Sequence, residues 1–466
     1  MTSLTMSHPA RRVPWRPTLA VVLLVLVSGL LTVPATAHHK EGHSGGPGPD
    51  SGDVFGTVTD ADSGDPIENA TVTLEETGAS DVTDADGNYR IENVEGGDYT
   101  ATATADGFVS ESTDVTVDGD VQVDFALEPS GPWVATESME QGRHKHTATL
   151  LADGTVLVAG GEDFSDSSTD SVERYHPDTE TWEQLADMPN VRSEHTATRL
   201  ADDRMLMAGG VLGNVDVYDP ATGEWSTAAP MNDWRREHTA TLLDDGRVLV
   251  TGGRNSQTTS AAHDTAEIYD PTADTWTVTD SMADARKDHT ATKLDDGRVL
   301  VVGGRPSQSS GALATAEVFD PDTEEWSQVA SLSVARNNHD DALLDDGRVL
   351  AAGGADADSS TDGLTSTEIY DPAADSWKTV DDMSRKRHFH TVSLLNDGRV
   401  LATGGNNIDA NGNSEVFDPD TGAWQPLDDL VGRRDWHAAA VLEDGRVLAA
   451  GSAIAEEEET AELFVP

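Results

Sequence analysis

The chain has 466 residues, with 85 acidic side chains against 30 basic ones, a formal charge of −55 and no cysteine. So few cations exclude a nucleic-acid partner, because a phosphate backbone is held by clustered Lys and Arg that release its counterions. The absence of cysteine excludes disulfides, thiolate metal sites and cysteine-borne lipid anchors, so stability must come from packing.

The apolar positions are periodic rather than diluted, so the acid excess reads as a hydrated skin on a folded protein and not as disorder. Carboxylate surfaces stay soluble in concentrated salt, where self-repulsion is screened, and a halophilic source is expected. At the N-terminus Arg11, Arg12 and Arg16 precede an apolar stretch from Leu19 to Val33, and Ala35-Thr36-Ala37 closes it. This predicts a signal peptide over 1–37 and a secreted or cell-surface protein, with no membrane span after cleavage. The apolar run is shorter than the ~20 residues a spanning helix requires. The Arg11-Arg12 pair suits twin-arginine export but Val13-Pro14-Trp15 does not, so both export routes stay open.

Residues 38–52, polar and rich in Gly and Pro with His38, His39 and His43, read as a flexible linker. From 53 to 129, short alternating runs such as VFGTV, ATVTL and YTATATA are separated by turn signals, among them Asp62-Ser63-Gly64-Asp65-Pro66 and Asp86-Gly87-Asn88. Period-two alternation with frequent turns predicts a small antiparallel β-sandwich. The pattern GTVTD…GDPIENATVTL…TDADGNYRI…GDYTATA resembles the carboxypeptidase regulatory-like domain, which implies a prealbumin-like sandwich without catalytic residues of its own. Asn69-Ala70-Thr71 is an N-glycosylation sequon.

Residues 130–466 are a repeat array. Trp133, Trp182, Trp225, Trp276, Trp326, Trp377 and Trp424 are each followed 13 residues later by a histidine and 27 residues later by a Gly-Gly or Gly-Ser pair. Within each unit run R-x-x-H, an apolar strand, a D-G-R turn (Thr155 replaces the arginine in the first unit and Asp203 the glycine in the second), a second apolar strand and the glycine pair. A Tyr or Phe then stands seven residues before the next Trp. Two hairpins per unit give four strands, a to d, which make one propeller blade. The motif RxxHTATxLxDDGRVLVxGG…AExYDPxTxxW resembles the kelch repeat of the galactose oxidase central domain. The fold class expected is therefore all-β, a seven-bladed kelch β-propeller after a small prealbumin-like β-sandwich. Trp133 opens the array without an aromatic strand and Phe464 ends it without a Trp strand, so the N-terminal strand near Trp133 should complete the last blade.

The a–b and c–d turns are uniform, whereas the span from glycine pair to aromatic runs from 9 residues (Gly209 to Tyr218) to 17 (Gly252 to Tyr269). Binding is therefore expected on the face of the b–c loops and d–a crossovers. That face receives Arg143, Arg192, Arg235, Arg286, Arg336, Arg387 and Arg434, which would either form a ring for an anionic group or pair with acids of neighbouring blades. The frame histidines, which recur with the repeat, read as packing. Trp234, Phe389 and Trp436, with His144 and His388, break the frame near the mouth and are candidates to stack on a sugar or anchor a peptide.

Alternating oxygens at Asp356, Asp358, Ser360 and Asp362, and at Asp409, Asn411 and Asn413, lack the spacing of a calcium loop, so no metal is expected. The resemblance raises copper-radical oxidation, which in that family uses a Tyr cross-linked to a Cys, a second Tyr and two His. With no Cys, and with the propeller tyrosines taken by the frame, no cofactor is expected. The reading is a monomeric secreted binding protein for an extracellular protein or glycan. A carbohydrate-active enzyme using the central depression is the alternative, and a structural spacer a third.

Overall fold

The computed structural model describes residues 51–466 apart from 62–63, 106–107, 109, 128–130, 212, 256–260, 308, 357–362, 407–411 and 455–456. The signal peptide, nearly all of the linker and most of the two oxygen-rich loops lie outside the described residues. The described secondary structure is all strand, and among the described residues no helix is long and apolar enough to cross a membrane.

The N-terminal unit is two four-stranded sheets around a core that includes Val54, Val58, Val72, Leu74, Ala101, Ala103 and Phe125. Its first strand, Gly52–Asp60, alternates buried and half-exposed residues, as a strand with one face on a core must. One expectation needs correction: this strand pairs in parallel with Val121–Gln122 and Phe125–Leu127. A parallel pair requires a long crossover, and here the chain supplies it by running through the opposite sheet before returning. Gly56 permits the contact, since a Cβ there would sit 1.8 Å from the Val123 carbonyl oxygen.

The repeats fold into seven four-stranded antiparallel sheets. In the first blade the strands are Thr147–Leu150 (a), Val156–Ala159 (b), Val172–His176 (c) and Thr181–Gln184 (d). Strand b is buried at all four positions in every blade, because sheets lie on both its sides. This explains runs such as VLVA, MLMA and VLVV, which carry no alternation. Tyr or Phe of strand c packs on the Trp of strand d with ring centroids 4.9–5.1 Å apart, and the pair joins the apolar cluster of the preceding blade. Asp203 takes the turn glycine's conformation at φ 70°, the strained placement its sequence position predicts.

The seventh blade is assembled from both ends of the array: Ala438–Val441, Val447–Ala450 and Ala461–Phe464 are completed by Trp133–Ala135, with Phe464 opposite Trp133. Their rings, 5.4 Å apart, reproduce the aromatic pair of the other blades.

Candidate functional site

Each R-x-x-H segment crosses from strand d of one blade to strand a of the next, near the propeller axis. Its arginine is at most 1% exposed in all seven blades. The expectation of an open arginine ring is corrected on this point. Each guanidinium turns inward and pairs with an acid on strand c of its own blade: Glu173, Asp216, Glu267, Glu317, Glu368, Glu415 and Glu462 for Arg143, Arg192, Arg235, Arg286, Arg336, Arg387 and Arg434. It also donates to the carbonyl of the first residue of the glycine pair, as Arg286 does to Gly303 at 2.7 Å. The physical cause is economy of partners: the two terminal nitrogens serve a carboxylate on strand c and the carbonyl that ends strand b, while the Nε–H of Arg192, Arg286, Arg336 and Arg387 has no partner among the described residues. The first glycine of each pair abuts the next blade, and a Cβ on Gly160 would lie 2.7 Å from the Arg192 carbonyl oxygen.

The residue just before each frame histidine has φ between 49° and 56°: Lys145, Glu194, Glu237, Asp288, Asn338, Phe389 and Trp436. This left-handed turn aims each N–H at the carbonyl of the same residue one blade back. Seven such bonds of 3.0–3.2 Å, the first from Lys145 to the Trp436 carbonyl, close a complete ring around the axis. The side chains of this ring and the histidines beneath it line an axial cavity of about 330 Å³. Larger grooves on the opposite face, one of about 660 Å³, are made by the repeated D-G-R turns, whose acids are already held by their own arginines, as Asp245 is by Arg247 at 2.6 Å. The axial mouth is where the blades differ.

Its rim has two unlike arcs. Across blades 1 to 4 runs a chain of ion pairs: Lys145–Glu194 at 3.7 Å, Arg236–Glu194 at 2.7 Å, Arg254–Glu237 at 2.6 Å, Lys287–Glu237 at 2.7 Å and Arg305–Asp288 at 2.8 Å. Burial, with Glu237 beside it, pushes Glu194 up to about 7. Across blades 6 and 7 the rim is aromatic. Phe389 stacks on Trp436 with centroids 3.6 Å apart, and the Lys145 ammonium lies 5.1 Å from the Trp436 ring on the blade 1 side. Phe389 and Trp436 are thus brought together, but half-buried and against each other rather than beside arginine. Trp234 stands apart, 40% exposed over Gly213.

His144 and His388 are buried, which corrects their placement as surface ligand contacts. His388 packs on Phe389 and burial holds its imidazole down to about 4. His144, Glu162 and Asp166 bring one donor atom each within 4.8 Å of one another. The Lys145 ammonium is 2.6 Å from the Glu162 carboxylate, which satisfies that group without an ion.

The frame histidines pack as expected, and all are neutral because burial and the adjacent arginine depress them, His195, His238 and His437 to about 3. Each Nε2 meets the first strand-a threonine of the blade before: His195 to Thr147, His238 to Thr196, His289 to Thr239, His339 to Thr290 and His437 to Thr391, at 2.9–3.3 Å. Two blades break this. Blade 5 has Asp340 and blade 7 has Ala438 in the threonine's place, and His390 and His146 are left with neither ring nitrogen paired among the described residues.

Asp340 and its neighbour Asp341 went unread in the sequence, although they stand out against the His-Thr-Ala-Thr of the first four blades. Asp340 lines the cavity and accepts the Val392 N–H of blade 6 at 2.7 Å, while Asp341 accepts the Thr292 hydroxyl of blade 4 at 2.8 Å. Desolvation, then the Asp341 charge, raises Asp340 to about 7; desolvation raises Asp341 to about 6. Folded-state values above the unfolded ~3.9 mean that the native state holds protons the unfolded chain has lost, so these groups cost stability progressively as pH rises from ~4 to about 7. Asp340→Thr with Asp341→Ala, which restores the frame, is expected to stabilise the protein by roughly 2 kcal/mol at pH 8 and by little at pH 4. Urea unfolding at both values checks this; equal shifts at the two would refute the charge argument.

Comparison with known families places a carboxypeptidase regulatory-like domain at residues 53–128, a Kelch motif at 143–189 and a KLHDC2/KLHL20/DRC7 Kelch-repeats domain at 237–451. No curated protein sequence matches the chain. Among solved structures, it resembles one described as a novel fungal alcohol oxidase with catalytic diversity among the AA5 family, in complex with copper, at 17% identity and a TM-score of 0.59, covering 72% of this chain and 76% of that one. A second, the structure of YjhT, aligns at 15% identity and a TM-score of 0.49 over 63% of this chain and 99% of that one. The likeness to the first is one of fold. The residues here do not fit a copper-radical centre, since the sequence has no cysteine and no tyrosine is among the described residues that line the axial cavity. Tyr175, Tyr218, Tyr269 and Tyr370 sit instead between blades, bonded to Thr136, Arg174, Asp274 and Asp375. The chain carries a carboxypeptidase regulatory-like domain followed by a seven-bladed kelch-repeat β-propeller.

Proposed function

We propose that the protein is a secreted or cell-surface interaction protein that captures an extracellular protein or glycan at the axial mouth. The observation that carries this reading is the cost of the aromatic arc. Phe389 and Trp436 occupy left-handed backbone positions, where bulky side chains are outliers, and such strain concentrates at functional sites. Four other blades place Glu, Asp or Asn there, and ordinary packing gives no reason for two adjoining aromatics in this ring. Secretion rests on the arginine-flanked apolar segment before residue 38, and a halophilic setting on the formal charge of −55.

A carbohydrate-active enzyme is the second reading, favoured by the raised Asp340 in the central depression. Glycoside cleavage uses two carboxyl groups that flank one bond. Asp340 and Asp341 point instead to opposite sides of their sheet, toward blades 6 and 4, which weighs for binding.

Phe389→Asn with Trp436→Asn tests the proposal, because asparagine suits the left-handed turn and leaves the ring intact. Capture of native cell-surface material and of arrayed glycans in high salt should fall by about tenfold or more, the loss of ~1.4 kcal/mol of contact. Capture equal to that of the unaltered protein would dismiss the mouth as the binding site.

A further inference from the structure

We propose that the sector of the axial channel between blades 5 and 1 receives a nitrogenous cation, the ammonium or guanidinium tip of a partner protein's lysine or arginine, with Asp340 as its counter-ion and His390 and His146 as neutral acceptors. The inference rests on the mouth being the binding face and names what enters it.

Charge pairing is the first line of argument. The seven strand-c acids each hold a buried arginine, and Glu194, Glu237 and Asp288 of the rim are each in contact with Lys or Arg. Asp340 and Asp341 have no cationic side chain within salt-bridge distance among the described residues. A half-buried carboxylate kept without a counter-ion still bears a desolvation cost, and threonine at this position serves five other blades.

The second line is independent of charge. His390 and His146 are 6% and 8% exposed, line the same cavity, and have both ring nitrogens unpaired among the described residues. Each neutral imidazole offers one acceptor. With Asp340 they put three acceptors in the lining of one cavity, which Phe389 and Trp436 also line. An apolar stem topped by N–H donors matches this order: aliphatic carbons pass the aromatic rim and the charged tip reaches the acceptors. A neutral ligand would leave Asp340 uncompensated, and an anion would be repelled by it.

The substitutions that test this restore the repeat frame, so they keep the fold. Calorimetric titration of the full chain with n-butylammonium and with ethylguanidinium chloride should show saturable binding, and tetramethylammonium, which has no N–H, should not bind. Asp340→Thr should weaken both cations by about tenfold or more, and Ala438→Thr, which gives His146 a partner, should weaken them by a smaller factor. Unchanged affinity in Asp340→Thr, or equal binding of tetramethylammonium, would overturn the proposal; so would saturation by calcium chloride that displaces butylammonium and vanishes in Asp340→Thr, which would make the occupant a metal. If Asp340→Thr loses the cations yet captures partner undiminished, the anchor is wrong and the mouth stands. If the Phe389 and Trp436 variant loses no capture, the mouth itself is wrong.

Discussion

Arg235→Ala is expected to destabilise the propeller by about 3–5 kcal/mol, the usual loss when one member of a buried ion pair is removed. The guanidinium donates at 2.7 and 2.9 Å to the carbonyls of Gly252 and Thr265, at 2.7 Å to the Thr265 hydroxyl and at 2.9 Å to Glu267. Truncation leaves all these acceptors buried and the Glu267 charge alone. Glu267 also receives the N–H groups of Asn232 and Asp233, at 2.8 and 3.1 Å, and so ties the crossover to strand c. Arg235→Lys keeps the charge but not the planar fork, and should fall between the two. Urea denaturation of the three proteins gives the order; an Arg235→Ala protein as stable as the original, with weakened partner capture, would falsify the structural role and restore the arginine ring as a contact surface.

That exchange of roles shows what the repeat could and could not tell. The fixed Trp-to-Gly interval made the blade, the strand order and the ring closure readable, because each depends on local pattern: D-G turns, buried runs, paired aromatics. Whether Arg143 and its equivalents face in or out depends on an acid about 30 residues away on strand c, such as Glu173. Repetition of both residues hid their pairing, since an invariant partner resembles frame. Phe389 and Trp436 were legible as departures, and the structure adds that they touch and that both stand in left-handed backbone positions. Asp340, Asp341 and Ala438 were equally visible departures, but the meaning of Asp340 and Ala438 lies in a histidine one blade away that loses its partner, and that of Asp341 in a threonine of blade 4. The parallel strands of the sandwich were not legible, because alternation encodes which face is buried and not which neighbour is chosen.

Trp133→Ala is expected to cost about 3–5 kcal/mol, and to cost more than the same change at Trp326. Trp133 is 4% exposed, donates its indole N–H to the Ser414 hydroxyl at 2.8 Å, and packs on Phe464 in a cluster with Leu401, Val416 and Val447. Trp326 sits at the equivalent place in its blade, yet is half-buried and its indole nitrogen has no partner among the described residues. The larger difference is topological. Strand d of blade 4 is tethered to its sheet by a tight hairpin, whereas Trp133–Ala135 reaches strand Ala461–Phe464 only after the chain has passed through six other blades. Loosening it opens the ring and exposes an unpaired sheet edge, and the entropy of closing so long a loop is then no longer offset by the contacts that reward it. Thermal unfolding should accordingly broaden in Trp133→Ala as the last blade separates from the others, while Trp326→Ala should shift the midpoint and keep the transition sharp. Identical curves for the two variants would mean that the seam between chain start and chain end carries no special share of the propeller's stability.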